Sequence, residues 1–447
     1  MQLRRSRLCK WFFPIASLCI LFILVGCNND DNDNDNDTGA VYAMTNVLGN
    51  NEIVVFQRAS DGILTSMQRI ATGGGGSGVQ LDPTDSLGSQ GGLVLNQSHE
   101  FLFAVNTESL AEDPIDGTDI GDCQAGTISS FRVADDGSLT LVGSVPSGGL
   151  FPASLAVQEN LLYVLNAGGP GLNPPCGIDP NITGFTVGQD GQLSPLANST
   201  QPINPGTSPG SFLNCDPGGG PFPTDEFRCG LNPPAFPRSP AQVGFTLDGR
   251  ALVVTVKGTN SIYVFPLDQD GRPGTPTITQ ATGPNQPTYF GFAFDNEGNL
   301  IVSEPFGATP TIPAVPFSAV SSFAINMNGE LQAISPSIPN GRGTACWVAL
   351  DPDSQYAYIA NNATSDISLY EIGNDGSLTL LNAEAAAAEL PNDMAVAGNN
   401  DNSFLYVLNS GNGTVGAFQI NDDGSLTALG AVNGLPIDAG AQGLAAY

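Results

Sequence analysis

One short pattern recurs seven times in this 447-residue chain. Each copy has a Phe or Tyr five residues before an Asp-Gly or Asn-Gly pair, and in six copies a Leu follows two residues after the Gly. Alternating apolar residues before the pair indicate a strand, and Asp-Gly supplies the positive φ of a tight hairpin turn. The seven pairs are Asp61-Gly62, Asp136-Gly137, Asp190-Gly191, Asp270-Gly271, Asn328-Gly329, Asp375-Gly376 and Asp423-Gly424. Each copy therefore predicts one β-hairpin.

Two further apolar runs precede each hairpin, as in residues 152–166 and 346–361. Seven repeats of four short strands are typical of a β-propeller, so we predict an all-β fold with a single seven-bladed propeller. The body begins at residues 41–46 with a run like the second strand of a unit, and it ends at 441–447 with a run like a first strand. The N-terminal strands should pair with the C-terminal strand and close the ring without a free edge.

The charge balance excludes one class of partner. The chain has 43 acidic against 13 basic side chains and a formal net charge of −30. Such a surface repels nucleic acid, while 41% hydrophobic residues suffice for a packed core. We expect a monomer whose partner is a small ligand or an envelope or extracellular protein.

The N-terminus predicts export. Residues 1–26 have a basic start and an apolar run of secretory type, and they end in Leu24-Val25-Gly26 before Cys27. This end resembles the lipobox of bacterial lipoproteins, which implies cleavage before Cys27 and lipidation of its thiol; an uncleaved anchor helix is the alternative. Residues 27–39 then form an acidic Asn/Asp tether, and 40–447 form the propeller. We expect a bacterial cell-envelope protein at the outer membrane, which contacts the membrane through its lipid anchor alone.

The remaining cysteines agree with an oxidising compartment. Cys215 and Cys229 bracket a Gly/Pro-rich insertion that a disulfide would staple, and Cys123 with Cys176, in equivalent loops of neighbouring repeats, is a second candidate pair. Cys346 is then left over, and we interpret it as a buried free thiol.

The repeats also resemble a known family. LYVLN at 405–409, VGAFQINDDGSLTAL at 415–429 and their six cousins resemble the seven-bladed lactonase family, from about residue 40 to 447. This family includes bacterial 6-phosphogluconolactonases and fungal carboxy-muconate cyclases, so the resemblance implies the propeller fold and lactone hydrolysis. The family commonly places an Arg-His pair just before a first strand. No repeat here does, and the single histidine, His99, lies in a turn between first and second strands.

Candidate site residues follow from the propeller geometry, in which first strands line the central channel. Five second strands end in Asn, which we interpret as a turn residue whose side chain binds nearby backbone groups. In the other two blades, which are adjacent, this position holds Lys257 and Glu304. Arg238 and Arg342 lie in loops that enter the fourth and sixth blades. The candidate ligand-binding residues are Arg238, Gln242, Tyr289, Arg342, Trp347 and Asp393.

Three interpretations of these residues stay open. The first is a recognition module that binds a small anionic ligand, a glycan or a protein through the cations. The alternative is a lactonase in which Glu304 activates water while Lys257 and an arginine polarise the ester carbonyl. The third is a structural Lys257–Glu304 ion pair. Whether the protein is an enzyme is left undecided at this stage.

The sequence contains no zinc, phosphate-loop or nucleophile-elbow motif, and we predict no cofactor. One acidic insertion offers oxygen ligands of the kind that calcium prefers, although its spacing matches no strict template. Its four carboxylates are Asp113, Asp116, Asp119 and Asp122.

Overall fold

The computed structural model describes residues 38–78, 85–107, 126–168, 180–203, 240–281, 288–305, 318–399, 402–437 and 439–447. Asn36–Tyr447 form one compact unit. Within the described ranges, no helix is long and apolar enough to cross a membrane. Several predictions lie outside the described residues and stay predictions: the signal segment 1–26, Cys27 and most of its tether, the four paired cysteines, Arg238, and the four aspartates of the calcium candidate.

The strands form seven antiparallel sheets, here called blades 1 to 7. Blade 1 contains β1 (Gly39–Met44), β2 (Glu52–Arg58) and β3 (Leu64–Ala71), with β29 (Leu444–Ala446) as its innermost strand. Blade 2 contains β4 (Leu93–Leu95), β5 (Phe101–Asn106), β6 (Thr127–Val133) and β7 (Leu139–Pro146). Blade 3 contains β8 (Pro152–Gln158), β9 (Leu161–Asn166) and β10 (Asn181–Val187), and both β11 (Leu193–Pro195) and β12 (Gln201–Pro202) pair with β10.

The other four blades repeat this order from the channel outwards. Blade 4 contains β13 (Pro240–Phe245), β14 (Ala251–Val256), β15 (Ser261–Pro266) and β16 (Thr277–Gln280). Blade 5 contains β17 (Phe292–Phe294), β18 (Leu300–Glu304), β19 (Ala319–Ile325) and β20 (Leu331–Pro339). Blade 6 contains β21 (Ala345–Leu350), β22 (Tyr356–Asn361), β23 (Asp366–Ile372) and β24 (Leu378–Ala387). Blade 7 contains β25 (Pro391–Asn399), β26 (Asn402–Asn409), β27 (Thr414–Ile420) and β28 (Leu426–Asn433).

The predicted all-β, seven-bladed propeller is therefore confirmed, as is its closure. β29, from the C-terminus, pairs with β1 in antiparallel register, with Ala446 opposite Val41 and Leu444 opposite Ala43. Apolar side chains on both faces of the blades pack against the neighbouring blades and form the core.

The repeated Gly residues perform two tasks at once. All seven hairpin glycines have φ between +75° and +82°, as a tight turn requires. The Gly62 turn of blade 1 also packs directly on blade 7, the preceding blade of the ring, because a Cβ at this position would lie 2.3 Å from the ring of Phe404. The recurrence of Asp-Gly thus reflects both turn geometry and the contact between blades.

A hydroxyl of the preceding blade binds each of five hairpins. It donates to the carbonyl oxygen of the repeated Gly, which fastens consecutive blades together near their outer edge. The donor and acceptor pairs are Tyr42 with Gly137 (2.9 Å), Ser130 with Gly191 (2.6 Å), Tyr163 with Gly271 (2.5 Å), Tyr358 with Gly424 (2.8 Å) and Tyr406 with Gly62 (2.9 Å).

The Tyr406→Phe variant tests this fastening. It keeps the ring but removes the donor to the buried carbonyl of Gly62, so we expect a loss of about 1–2 kcal/mol in the free energy of unfolding, measured by urea denaturation. Tyr356→Phe is the matched control, because the Tyr356 hydroxyl reaches the Asp422 carbonyl at 3.3 Å on the exposed surface. Its loss should stay below about 0.5 kcal/mol. Equal losses in the two variants would contradict the proposed role of the buried bond.

Candidate functional site

A loop closes the central channel at the end where the innermost strands begin. Residues 85–92 precede β4 and are called the plug here. Their hydrogen bonds reach four other blades: Ser89 Oγ to Ala153 O (2.7 Å), Gln90 N to Ala241 O (3.2 Å), Trp347 Nε1 to Ser89 O (3.0 Å) and Gln442 Nε2 to Ser89 O (2.7 Å). Residues 85–89 are buried, whereas Gln90 and Gly91 are partly exposed. Solvent therefore reaches the plug on the side of Gln90 and Gly91.

Lys257 points at the plug. It follows β14 in a short 3-10 turn, and its Nζ donates to the carbonyl oxygen of Gly88. The ammonium also lies 4.9 Å from the ring centroid of Phe290, within cation–π range. Its side chain is almost fully buried. Burial lowers the pKa of Lys257 to about 8, a shift that the charge of Asp85 partly opposes.

Two buried carboxyl groups share this end of the channel. Asp85 Oδ1 accepts from the Gly88 amide at 2.9 Å and from Gln442 Nε2 at 2.8 Å. Asp393 accepts from the amides of Met394 (2.9 Å) and Leu444 (3.1 Å). Burial raises the pKa of Asp393 to about 8, and the Asp85 charge adds to this rise. Lys257, Asp85 and Asp393 are called the channel cluster below.

Glu304 faces its own blade instead. It ends β18 and accepts from the hydroxyls of Ser321 and, at 2.7 Å, Ser337. Burial raises the pKa of Glu304, and the two hydroxyls oppose that shift. Asn106 and Asn361 hold the equivalent position in their blades and likewise bond a serine of the third strand, at 2.8 Å each. Lys257 and Glu304, the two residues that replace Asn at the end of a second strand, thus have different surroundings. Glu304 binds serines of blade 5, and Lys257 binds the plug.

Arg342 is neutralised within blade 6. Its Nε donates to Asp366 at 2.9 Å, and its two terminal nitrogens bind Asp366 and Glu384. The structure therefore gives Lys257 and Arg342 separate binding partners.

The other sequence-predicted site residues have structural contacts. Gln242 donates to Phe292 O at 3.1 Å and accepts from Phe292 N at 2.7 Å, which joins blades 4 and 5. Trp347 is fully buried against the plug, and Tyr289 is buried edge-on to Phe323, where burial raises its pKa. Of these, Gln242 is partly exposed.

The sequence analysis missed the plug. Gln90, Asp85 and Gln442 lie at the channel end but were not among the candidates. Gln90 donates to Val348 O at 2.8 Å and accepts from Val348 N at 3.0 Å. One signal was available, since DSLGSQGG combines polar side chains with glycines directly before a predicted first strand. Within the described ranges, no group of three or more His, Cys, Asp or Glu side chains is arranged to hold a metal ion.

Comparison with known proteins supports the resemblance. No protein-family model matches the chain. A 6-phosphogluconolactonase of Yersinia enterocolitica is 25% identical over 253 residues, which cover 56% of this chain and 59% of that relative. A Bacteroides uniformis protein provisionally named a 6-phosphogluconolactonase has a TM-score of 0.63 at 15% identity and covers 92% of this chain and 100% of its own. The periplasmic gluconolactonase of Pseudomonas aeruginosa has a TM-score of 0.61 at 16% identity, with 92% and 99% covered.

These comparisons support the fold assignment. The chain has the seven-bladed propeller fold of solved structures named as lactonases, and the predicted resemblance is confirmed at that level. Its sequence similarity to one curated 6-phosphogluconolactonase spans a little over half of each chain. Because a propeller hosts many activities, the chemistry has to be argued from the channel itself.

Proposed function

We propose that this protein is a lactonase that hydrolyses a cyclic ester in its central channel. The observation that carries the proposal is the channel cluster, in which the buried Lys257 ammonium binds a plug carbonyl at the same channel end as two buried carboxyl groups. Burial brings the pKa values of Lys257 and Asp393 to about 8. Shifted pKa values of this kind concentrate at catalytic sites. The similarity to a curated 6-phosphogluconolactonase supports the choice of reaction.

The cluster contains the two kinds of group that ester hydrolysis needs. Water attacks the carbonyl carbon and gives up a proton, the ring C–O bond breaks, and the ring oxygen gains a proton to become a hydroxyl. The Lys257 ammonium can donate to the carbonyl oxygen as it becomes negative. A carboxylate of Asp85 or Asp393 can take the proton from the attacking water.

The plug shows how a carbonyl would be held. Gly88 O, the acceptor for Lys257 Nζ, stands where the carbonyl oxygen of a lactone would bind. A substrate therefore reaches Lys257 when this part of the plug shifts. Gly88 and Gly91 both have positive φ, at +63° and +82°, and glycine gives the segment the backbone freedom for such a shift.

The Lys257→Met variant tests the proposal, because it removes the ammonium but keeps the length of the side chain. We expect kcat/KM for lactone hydrolysis by the full-length protein to fall by about 100-fold, measured as proton release above the buffer rate. With Asp85 as the base, the wild-type rate should fall as the pH rises through about 8, because Lys257 then loses its proton. With Asp393 as the base, its own deprotonation near pH 8 opposes that fall and the pH profile becomes a bell centred near 8. Arg272→Gln is the control, since Arg272 pairs with Asp270 in the hairpin turn between the two outer strands of blade 4.

Two outcomes would contradict the proposal. Wild-type protein with no turnover above buffer across a panel of sugar-acid and simple lactones would rule out the activity. A folded Lys257→Met protein with the full rate, its fold checked by circular dichroism and thermal unfolding, would remove Lys257 from the reaction.

Binding without turnover is the second candidate function. It is favoured by the burial of the channel cluster behind the plug, which leaves the Gln90 and Gln242 amides partly exposed. On this hypothesis the protein binds a sugar-like ligand or glycan, and calorimetry would detect binding of a sugar lactone that the protein does not hydrolyse.

A further inference from the structure

Two neighbouring amides form a neutral polar surface on the accessible side of the plug. The backbone N–H of Gln90 donates to the backbone carbonyl oxygen of Ala241 at 3.2 Å, so Gln90 lies next to Gln242. Each side chain is held by a donor and an acceptor bond to the backbone of another blade. A glutamine amide has two N–H donors and two acceptor lone pairs, so these bonds leave capacity on both groups. Gly291 makes room, since a Cβ there would lie 2.2 Å from Gln90 Oε1.

Other partly exposed residues lie further along the innermost strands, towards the end of the channel opposite the plug. They include Val94, Val157, Phe245, Phe294 and Leu350. The turns that follow these strands form the rim of that end. In each of blades 2 to 6 such a turn carries one exposed carboxylate: Glu100, Glu159, Asp248, Glu297 and Asp353.

Among the described turns of this rim, Arg250 is the one basic residue. Arg250, on the rim, lies 3.7 Å from Asp248. The other described basic side chains contact carboxylates, carbonyl oxygens or an aromatic ring: Arg58 with Tyr447 O, Arg69 with Glu52, Arg132 with Phe101, Lys257 with Gly88 O, Arg272 with Asp270, and Arg342 with Asp366 and Glu384. The formal net charge of −30 adds a long-range repulsion.

We infer that the channel selects an uncharged polyhydroxy lactone over a phosphorylated one, with the Gln90 and Gln242 amides as its contacts. The inference rests on the proposed lactonase function and adds the substrate class. A neutral sugar lactone needs hydrogen-bond partners, which the amides provide. A dianionic phosphate would pass the carboxylate rim and, among the described residues, would meet neutral amides, since the Lys257 ammonium is engaged by the ester carbonyl. The small anionic ligand considered from the sequence depended on Lys257, Arg238 and Arg342 acting together, and Lys257 and Arg342 lie on separate partners.

The test compares gluconolactone with its 6-phosphate on the full-length protein. We expect kcat/KM to favour the neutral lactone by about 10-fold or more at low ionic strength, and the preference to narrow at about 0.5 M salt as the charges are screened. Gln242→Lys, which adds a cation beside the plug, should move the ratio towards the phosphorylated lactone by about 10-fold. Gln242→Met is the matched neutral variant, and it should lower kcat/KM for both lactones without changing their ratio.

Each outcome has a distinct meaning. Preferential hydrolysis of the phosphorylated lactone would overturn the inference but leave the lactonase proposal standing. A ratio that neither salt nor Gln242→Lys changes would also overturn it, and the salt series on wild-type protein decides the matter if Gln242→Lys does not fold. Hydrolysis of neither lactone, nor of any other on the panel, would overturn both proposals.

Discussion

Deletion of residues 442–447 is expected to abolish cooperative folding of the propeller. These residues contain β29, the innermost strand of blade 1. Without it, β1 loses three paired positions and the flanking bonds of Met44 N to Gly443 O and of Tyr447 N to Ala40 O. The buried Arg58 side chain also loses the Tyr447 carbonyl that it binds at 2.9 Å. At about 1 kcal/mol for each backbone bond plus the buried apolar surface, the loss approaches the 5–15 kcal/mol that stabilises a typical domain.

A transplanted strand is the matched control for this deletion. β29 and β1 are antiparallel neighbours and Tyr447 lies opposite Ala40, so residues 442–447 can be placed before Ala40 through a two-residue Asn-Gly hairpin loop. This protein has the same side chains and the same strand order in blade 1, and a single cooperative urea transition should return. If the deletion protein itself unfolds cooperatively at an unchanged midpoint, blade 1 does not need β29 and the closure argument fails.

Local patterns in the sequence predicted most of the fold. Asp-Gly five residues after an aromatic residue specifies a hairpin through φ and strand alternation, both of which act over a few residues. The half-units at residues 41–46 and 441–447 predicted closure because a blade needs four strands. The repetition made the fold prediction more specific than any single hairpin pattern could, because few folds contain seven copies of the same hairpin.

The candidate site was harder to predict because its contacts span the ring. Gln90 and Val348 are 258 residues apart, and no local pattern indicates that a loop from blade 2 crosses the channel to bind blade 6. For the same reason, the positions of Lys257 and Glu304 were predicted but their partners were not. Both replace an Asn at the end of a second strand. Glu304 stays within its blade because Ser321 and Ser337 offer hydroxyls, while Lys257 reaches the Gly88 carbonyl of the plug.

Trp347→Ala is expected to destabilise the plug and the whole ring. Trp347 is fully buried, packs edge-on to Phe290 at 5.6 Å between ring centroids, and donates to Ser89 O at 3.0 Å. Loss of a buried Trp ring costs about 3–5 kcal/mol in the free energy of unfolding, so the denaturation midpoint should fall sharply. The amides of the plug should also exchange their hydrogens faster than those of β2, whose buried side chains pack in core clusters that do not include Trp347.

Trp347→Phe separates packing from the hydrogen bond. Phe fills most of the volume but cannot donate to Ser89 O, so we expect a smaller loss of about 1–2 kcal/mol, again with faster exchange in the plug. If both variants lose stability while plug amides exchange at the wild-type rate, Trp347 only fills space in the core. If Trp347→Phe speeds exchange in the plug alone, the indole N–H holds the plug over Lys257. In that case the breaking of this buried hydrogen bond is one step of the plug shift that the proposed lactone hydrolysis requires.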